Sequence, residues 1–105
     1  MTVQFVSLLN VRFNDKEKFE MHVGWLSRKI ASGLGWELAI CGWQSPSPFP
    51  NDSQVVHVWK TNSSSELEAR TSLNNLIASL DQEKVNLALS VMHDPKFIFT
   101  KEKTY

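Results

Sequence analysis

Apolar residues occupy both strand parities at the start of the chain. Between Thr2 and Phe13, Val3, Phe5, Leu9 and Val11 share one parity and Val6 and Leu8 the other, with Gln4, Ser7 and Asn10 interspersed. That composition predicts a β-strand. Asn14, with Glu17 three residues on, reads as a capping box, where each side chain satisfies a free backbone amide. A helix is predicted from Asp15 to about Ser32, with Phe19, Val23, Leu26 and Ile30 as its buried stripe and Gly33 and Gly35 as its stop. A second strand is predicted from Trp36 to Trp43, with Trp36, Leu38 and Ile40 on one face and Ala39, Cys41 and Trp43 on the other. Pro46, Pro48 and Pro50 then remove amides and fix backbone angles, so Ser45 to Asp52 is a loop. Gln54 to Thr61 is the third strand. Ser63 to Glu66 opens a second long helix with Leu67, Leu73, Leu76, Ile77 and Leu80 in its inner row, and Arg70 fills a position in that row. A shorter helix follows from Asp81 to Met92, carrying Val85 and Leu89. His93-Asp94-Pro95 breaks it, and Lys96 to Tyr105 is the last strand, with Phe97 and Phe99 on one side.

The order β-α-β-β-α-(α)-β predicts an α+β, ferredoxin-like antiparallel sheet with its helices on one face, one domain spanning residues 1–105. A sheet covered on one side should read polar on the other. Here Val56 and Val58 oppose Val55, His57 and Trp59, as Val6 and Leu8 oppose Val3 and Phe5. An exposed apolar patch of roughly several hundred Å² is rare on a monomer. The expectation is therefore a two-fold homodimer, sheet against sheet, forming a dimeric α/β barrel.

Composition narrows the function. Eleven basic residues balance eleven acidic ones, and the basic ones are scattered, which argues against nucleic acid as a partner. No apolar run approaches the roughly 20 residues of a membrane helix, and the start has no signal-peptide pattern. Cys41 is the single cysteine, so no internal disulfide can form. The expected setting is the cytoplasm. Asn51 and Asn62 fit the glycosylation acceptor pattern but read as turn and cap residues without a secretory signal.

Gly35-Trp36-Glu37-Leu38 and Val55-Val56-His57-Val58-Trp59-Lys60 resemble two segments of the NIPSNAP-type branch of the dimeric α/β-barrel proteins, where they open strand two and form strand three. The antibiotic-biosynthesis-type monooxygenases and stress-responsive barrel proteins belong to the same superfamily. The resemblance implies a ferredoxin-like subunit and a barrel of two sheets. It fixes function far less, because one fold serves enzymes and binding proteins alike.

Candidate chemistry is sparse. His22 on the first helix and His57 in the third strand could serve as base or hydrogen-bond donor, since histidine titrates near neutral pH. Strand parity leaves open whether His57 and Trp59 face the helices or a dimer partner. His93 reads as a surface cap. The histidine spacing carries no metal signature. Trp25, Trp43 and Trp59 either pack the core and interface or line a cavity suited to an apolar or aromatic compound. Asn10 is the polar strand residue expected to point into such a cavity. Cys41 reads as a small buried hydrophobe.

Two functions compete at this level. In one, the pocket binds an apolar or aromatic small molecule. The resemblance then suggests cofactor-independent oxygenation, or an isomerase or cyclase step, with histidine removing a proton, asparagine steadying the oxyanion, and no metal or flavin required. In the other, the dimer is a non-enzymatic interaction or stress-response module that uses Phe49 in the Pro46–Pro50 loop.

Overall fold

A computed structural model describes residues 2–44 and 52–101. The elements are β1 (Val3–Arg12), α1 (Lys16–Leu34), β2 (Glu37–Gln44), β3 (Asp52–Lys60), α2 (Glu66–Ser79), α3 (Gln82–Ser90) and β4 (His93–Lys101), with a 3-10 turn at Phe13–Asp15. The sheet order is β2-β3-β1-β4, and every neighbouring pair is antiparallel. Two split βαβ units therefore interleave, as the ferredoxin-like reading requires. The molecule is a slab 18 Å thin, the depth of one helical layer on one sheet.

Strand parity sorts β1 and β3. Val3, Phe5, Leu9 and Val11 are buried, as are their β3 counterparts Val55 and Trp59. The intervening Val6, Leu8, Val56 and Val58 are only half-buried. The four predicted stripe residues of α1 are all buried against this inner face. Burying an aliphatic or aromatic side chain of this kind is worth about 1.5–3 kcal/mol, so the stripe holds the helix on the sheet.

Several local expectations need correction. The expected capping box does not form: Asp15 is the N-cap of α1 and makes no side-chain cap bond, because the 3-10 turn takes up Asn14. Only Gly35 acts as the stop, at φ 67°, a left-handed conformation that glycine adopts without steric cost. Gly33 lies inside α1, where a Cβ would come 2.7 Å from Leu76 Cδ1 on α2, so it serves close helix packing. Asn62 Nδ2 donates to the carbonyl of Leu34 at 3.0 Å and closes the helix end from outside. The second helix has the serine cap expected of its leading run, with Ser65 Oγ accepting from the Glu68 amide at 3.1 Å. Of its predicted inner row, Leu73 is buried and Leu76, Ile77 and Leu80 pack against the core beside the buried Ala69, whereas Leu67 in the first turn is 75 % exposed.

β2 carries a bulge that changes its faces. Leu38 pairs with Trp59 and Ile40 with Val58, leaving Ala39 as the extra residue. Leu38 and Ile40 therefore part company: Leu38 packs on the core and Ile40 is 57 % exposed. Cys41, paired with His57, lies on this edge strand and is exposed rather than buried. The last strand begins at His93, three residues before the predicted start. A register shift between Leu8 and Asn10 absorbs Asp94, at φ 46°, and Pro95, which an edge strand tolerates.

Candidate functional site

A cavity of about 230 Å³ lies between the inner sheet face and the three helices. β1 contributes Phe5, Ser7 and Leu9, β3 contributes His57 and Trp59, and β4 contributes Phe97 and Phe99. α1 presents Val23, Leu26 and Ile30 of its buried stripe, with Ser27 beside them. α2 adds Arg70, Leu73, Asn74 and Ile77, and Leu89 and Met92 complete the wall. The lining is mainly apolar and aromatic, with a few polar groups, the usual make-up of a small-molecule site.

His57 and Trp59 thus face the helices. Their strand parity is set by pairing with Ser7 and Phe5, both on the buried side of β1. His57 is 7 % exposed, and its ring has no hydrogen-bond partner among the described residues. Burial pushes its pKa below the ordinary histidine value, because the charged form loses hydration; the carboxylate of Glu20 opposes that shift only in part. The ring is therefore neutral near pH 7, with one nitrogen able to accept a proton and the other to donate a hydrogen bond. Ser7, also buried, is its direct cross-strand neighbour and supplies a hydroxyl to the same wall.

The aromatic wall is ordered. Phe5 stacks with Phe99 at 4.8 Å between centroids and with Phe97 at 5.9 Å. Phe5 also meets Trp36, tilted by 59° at 6.1 Å. Trp36 is buried, and its indole Nε1 has no partner among the described residues.

Of the other predicted site residues, Asn10, His22 and Trp25 do not join the cavity. Asn10 lies on the face turned away from the helices, where its Oδ1 is 3.5 Å from Gln54 Nε2; period-two alternation from Leu9 decides this. His22 is half-buried on α1 and does not line the cavity. Trp25 packs at the edge of the core, with Lys84 Nζ 5.6 Å from its ring. Trp43 pairs by register with Val55, and its side chain lies outside the described residues, as does the Pro46–Pro50 loop with Phe49. His93 Nε2 lies 3.6 Å from Asp15 Oδ2, which brings the start of β4 beside the turn before α1 without a hydrogen bond. Among the described residues, no three His, Cys, Asp or Glu side chains gather as a metal site would require. No described helix is long and apolar enough to cross a membrane.

Ser7, Ser27, Arg70 and Asn74 are lining groups that sequence reasoning passed over. Two of them left a signal. Ser7 breaks an otherwise apolar parity on β1, and Arg70 stands in the inner row of α2.

Comparison with solved structures places the architecture. A NIPSNAP family protein from Agrobacterium tumefaciens superposes with a TM-score of 0.74 at 16% identity, covering 100% of this chain and 96% of that one. A NIPSNAP-like domain protein of uncharacterised role from Burkholderia xenovorans gives 0.70 at 17% identity, covering 99% and 87%. The fold is that of the NIPSNAP proteins. A variant of SnoaB, a cofactor-independent oxygenase from Streptomyces nogalater, shares it at a TM-score of 0.60 and 12% identity, covering 98% and 94%. No family model and no curated protein matches the sequence. At identities this low the likeness to NIPSNAP structures extends to the fold and no further.

Proposed function

We propose that this chain binds an apolar or aromatic small molecule in the cavity between its helices and sheet, and that His57 takes a proton from the bound compound. The observation that carries this reading is a buried, neutral, unpartnered histidine at the wall of an aromatic-lined cavity. With no hydrogen-bond partner among the described residues, a ring in the cavity wall is open to a ligand, and a ligand hydroxyl or an acidic C–H is a suitable complement. Ser7, rather than Asn10, is the neighbouring donor able to steady the oxygen on which negative charge develops. Once deprotonated, a stabilised carbanion can react with dioxygen or rearrange, which are the oxygenase and the isomerase or cyclase outcomes. The fold shared with the oxygenase SnoaB supports the first.

A second copy is part of the proposal. Val6, Leu8, Val56, Val58 and the exposed Ile40 and Ile98 make an apolar outer sheet face, and a two-fold partner is the simplest cover for it. The free thiol of Cys41 suits a reducing, cytoplasmic setting.

Titration with aromatic compounds, read by the tryptophan fluorescence to which Trp59 in the cavity wall contributes, tests the binding site. Compounds that fit should quench or shift the emission with saturation, and His57→Phe should abolish turnover while leaving the melting profile near wild type. A panel of aromatic compounds that leaves the emission unchanged would falsify the site. Sedimentation at micromolar concentration tests the dimer: a monodisperse 12.0 kDa particle rules it out.

A further inference from the structure

Among the described residues lining the cavity, Arg70 is the one that carries a formal charge. Its side chain is half-exposed, so it stands at the rim and not in the depth. Two contacts hold the guanidinium there. Nη2 donates to Glu66 Oε1 at 2.8 Å, one turn back on α2, and Cζ lies 4.7 Å from the centre of the Phe99 ring. Phe99 is itself stacked on Phe5, so the cation is braced against the cavity wall. A guanidinium has five N–H donors in a planar fork, and the ion pair with Glu66 uses one of the described set. Asn74 follows four residues later, on the same helix face and on the same wall, and adds an amide donor.

We propose that Arg70 and Asn74 form a head-group subsite, and that the cavity's ligand is an amphiphile with an apolar or aromatic body and one acidic group. The proposal rests on the cavity-binding reading above and adds the chemistry of the ligand's outer end. The body lies against Phe5, Phe97 and Trp59, while the acidic group stays at the rim, where it keeps part of its hydration. That arrangement avoids burying a full charge among apolar side chains. A carboxylate or sulfonate matches the planar fork with two parallel hydrogen bonds, which a neutral polar group cannot do. Glu66 shares the guanidinium and competes for it, so it tunes the affinity downward.

A matched pair of dyes separates this proposal from the reading it rests on. 8-Anilinonaphthalene-1-sulfonate carries an acidic group, and N-phenyl-1-naphthylamine has the same aromatic body without it. Both brighten on entering an apolar site. The sulfonate dye should bind the wild-type protein more tightly, and its affinity should fall on raising NaCl from about 0.05 M to about 0.5 M, because a rim charge is screened by salt. Arg70→Gln should weaken the sulfonate dye about tenfold, the loss of roughly one charge-assisted hydrogen bond, and leave the neutral dye within about twofold. Glu66→Gln should tighten the sulfonate dye severalfold by releasing the guanidinium. Equal binding of the two dyes, unmoved by both substitutions, overturns the head-group subsite while the cavity reading stands. Failure of both dyes to bind overturns the cavity reading and this inference with it.

Discussion

On β1, Leu9 and Leu8 are neighbours of identical composition, yet Leu9 is fully buried while Leu8 is half-exposed. The same division runs along β3, where Trp59 and Val58 point to opposite faces. The helix-side face packs against the α1 stripe and encloses a cavity with a neutral histidine in its wall. The outer face is a smooth apolar surface of Val6, Leu8, Val56 and Val58, with Ile98 44 % exposed at its margin. Residue type does not distinguish the two faces, since both are rich in valine and leucine. Cover does: one face has its helices within the chain, and the other has no cover among the described residues. The inner face thus carries the folding core and the cavity, and the outer face is the surface on which the proposed association would act.

Substitution at matched positions should expose that difference, most strongly for Trp59. Trp59→Ala should lower unfolding stability by about 3–5 kcal/mol, the usual cost of deleting a large buried aromatic side chain. Denaturant titration should show the midpoint fall at every protein concentration. Val58→Ala should cost much less, about 1 kcal/mol or below at low protomer concentration, and its effect should grow with concentration if the face is an interface. Equal losses at all concentrations would erase the distinction between the faces.

Introducing charge sharpens the contrast. Leu9→Asp should prevent folding, because the carboxylate enters a packed interior. Val58→Asp should preserve the far-ultraviolet circular dichroism and leave a single protomer in sedimentation. A Val58→Asp protein that still sediments as a dimer would move the interface elsewhere.

Titration of His57 gives a smaller, inner-face signature. Its folded pKa lies below the ordinary value of 6.5, so the unfolded chain takes up a proton more readily than the folded one. The stability it contributes is fully present above pH 6.5 and is lost as pH falls from there through the lowered folded value. His57→Phe should flatten the fall in melting temperature between about pH 7 and about pH 5. An unchanged slope would mean that another group carries the acid sensitivity.

Cys41 should show the smallest effect. Limited burial, and then the Glu20 carboxylate, hold its pKa above that of an ordinary thiol. Glu20→Gln should lower that pKa and modestly speed alkylation by iodoacetamide at neutral pH, since the thiolate is the reactive form. No change in rate would show that burial alone sets it.

Much of this architecture was legible in the residues. The α1 stripe could be read from spacing, because 3.6-residue periodicity places Phe19, Val23, Leu26 and Ile30 on one line and the sheet leaves them one direction to go. The candidate site was legible only in part. His57 and Trp59 were named, but their orientation waited on the pairing of β3 with β1. Asn10 was assigned to the cavity on polarity alone, whereas alternation from Leu9 sends it to the other face. Ala39 hid the change of parity in β2, since a bulge depends on the partner strand and leaves no mark in a run of small and apolar residues.

By itself, then, the sequence determined the order of elements, the apolar character of both sheet faces and the presence of a histidine at the centre of β3. Those properties follow from local periodicity and composition, which each segment carries with it. Tertiary structure decided which face became the cavity, which polar groups reached it, and that Arg70 stands over Phe99 at its rim. Such features depend on register and on how helices cross the sheet, and both are set jointly by residues far apart in the chain.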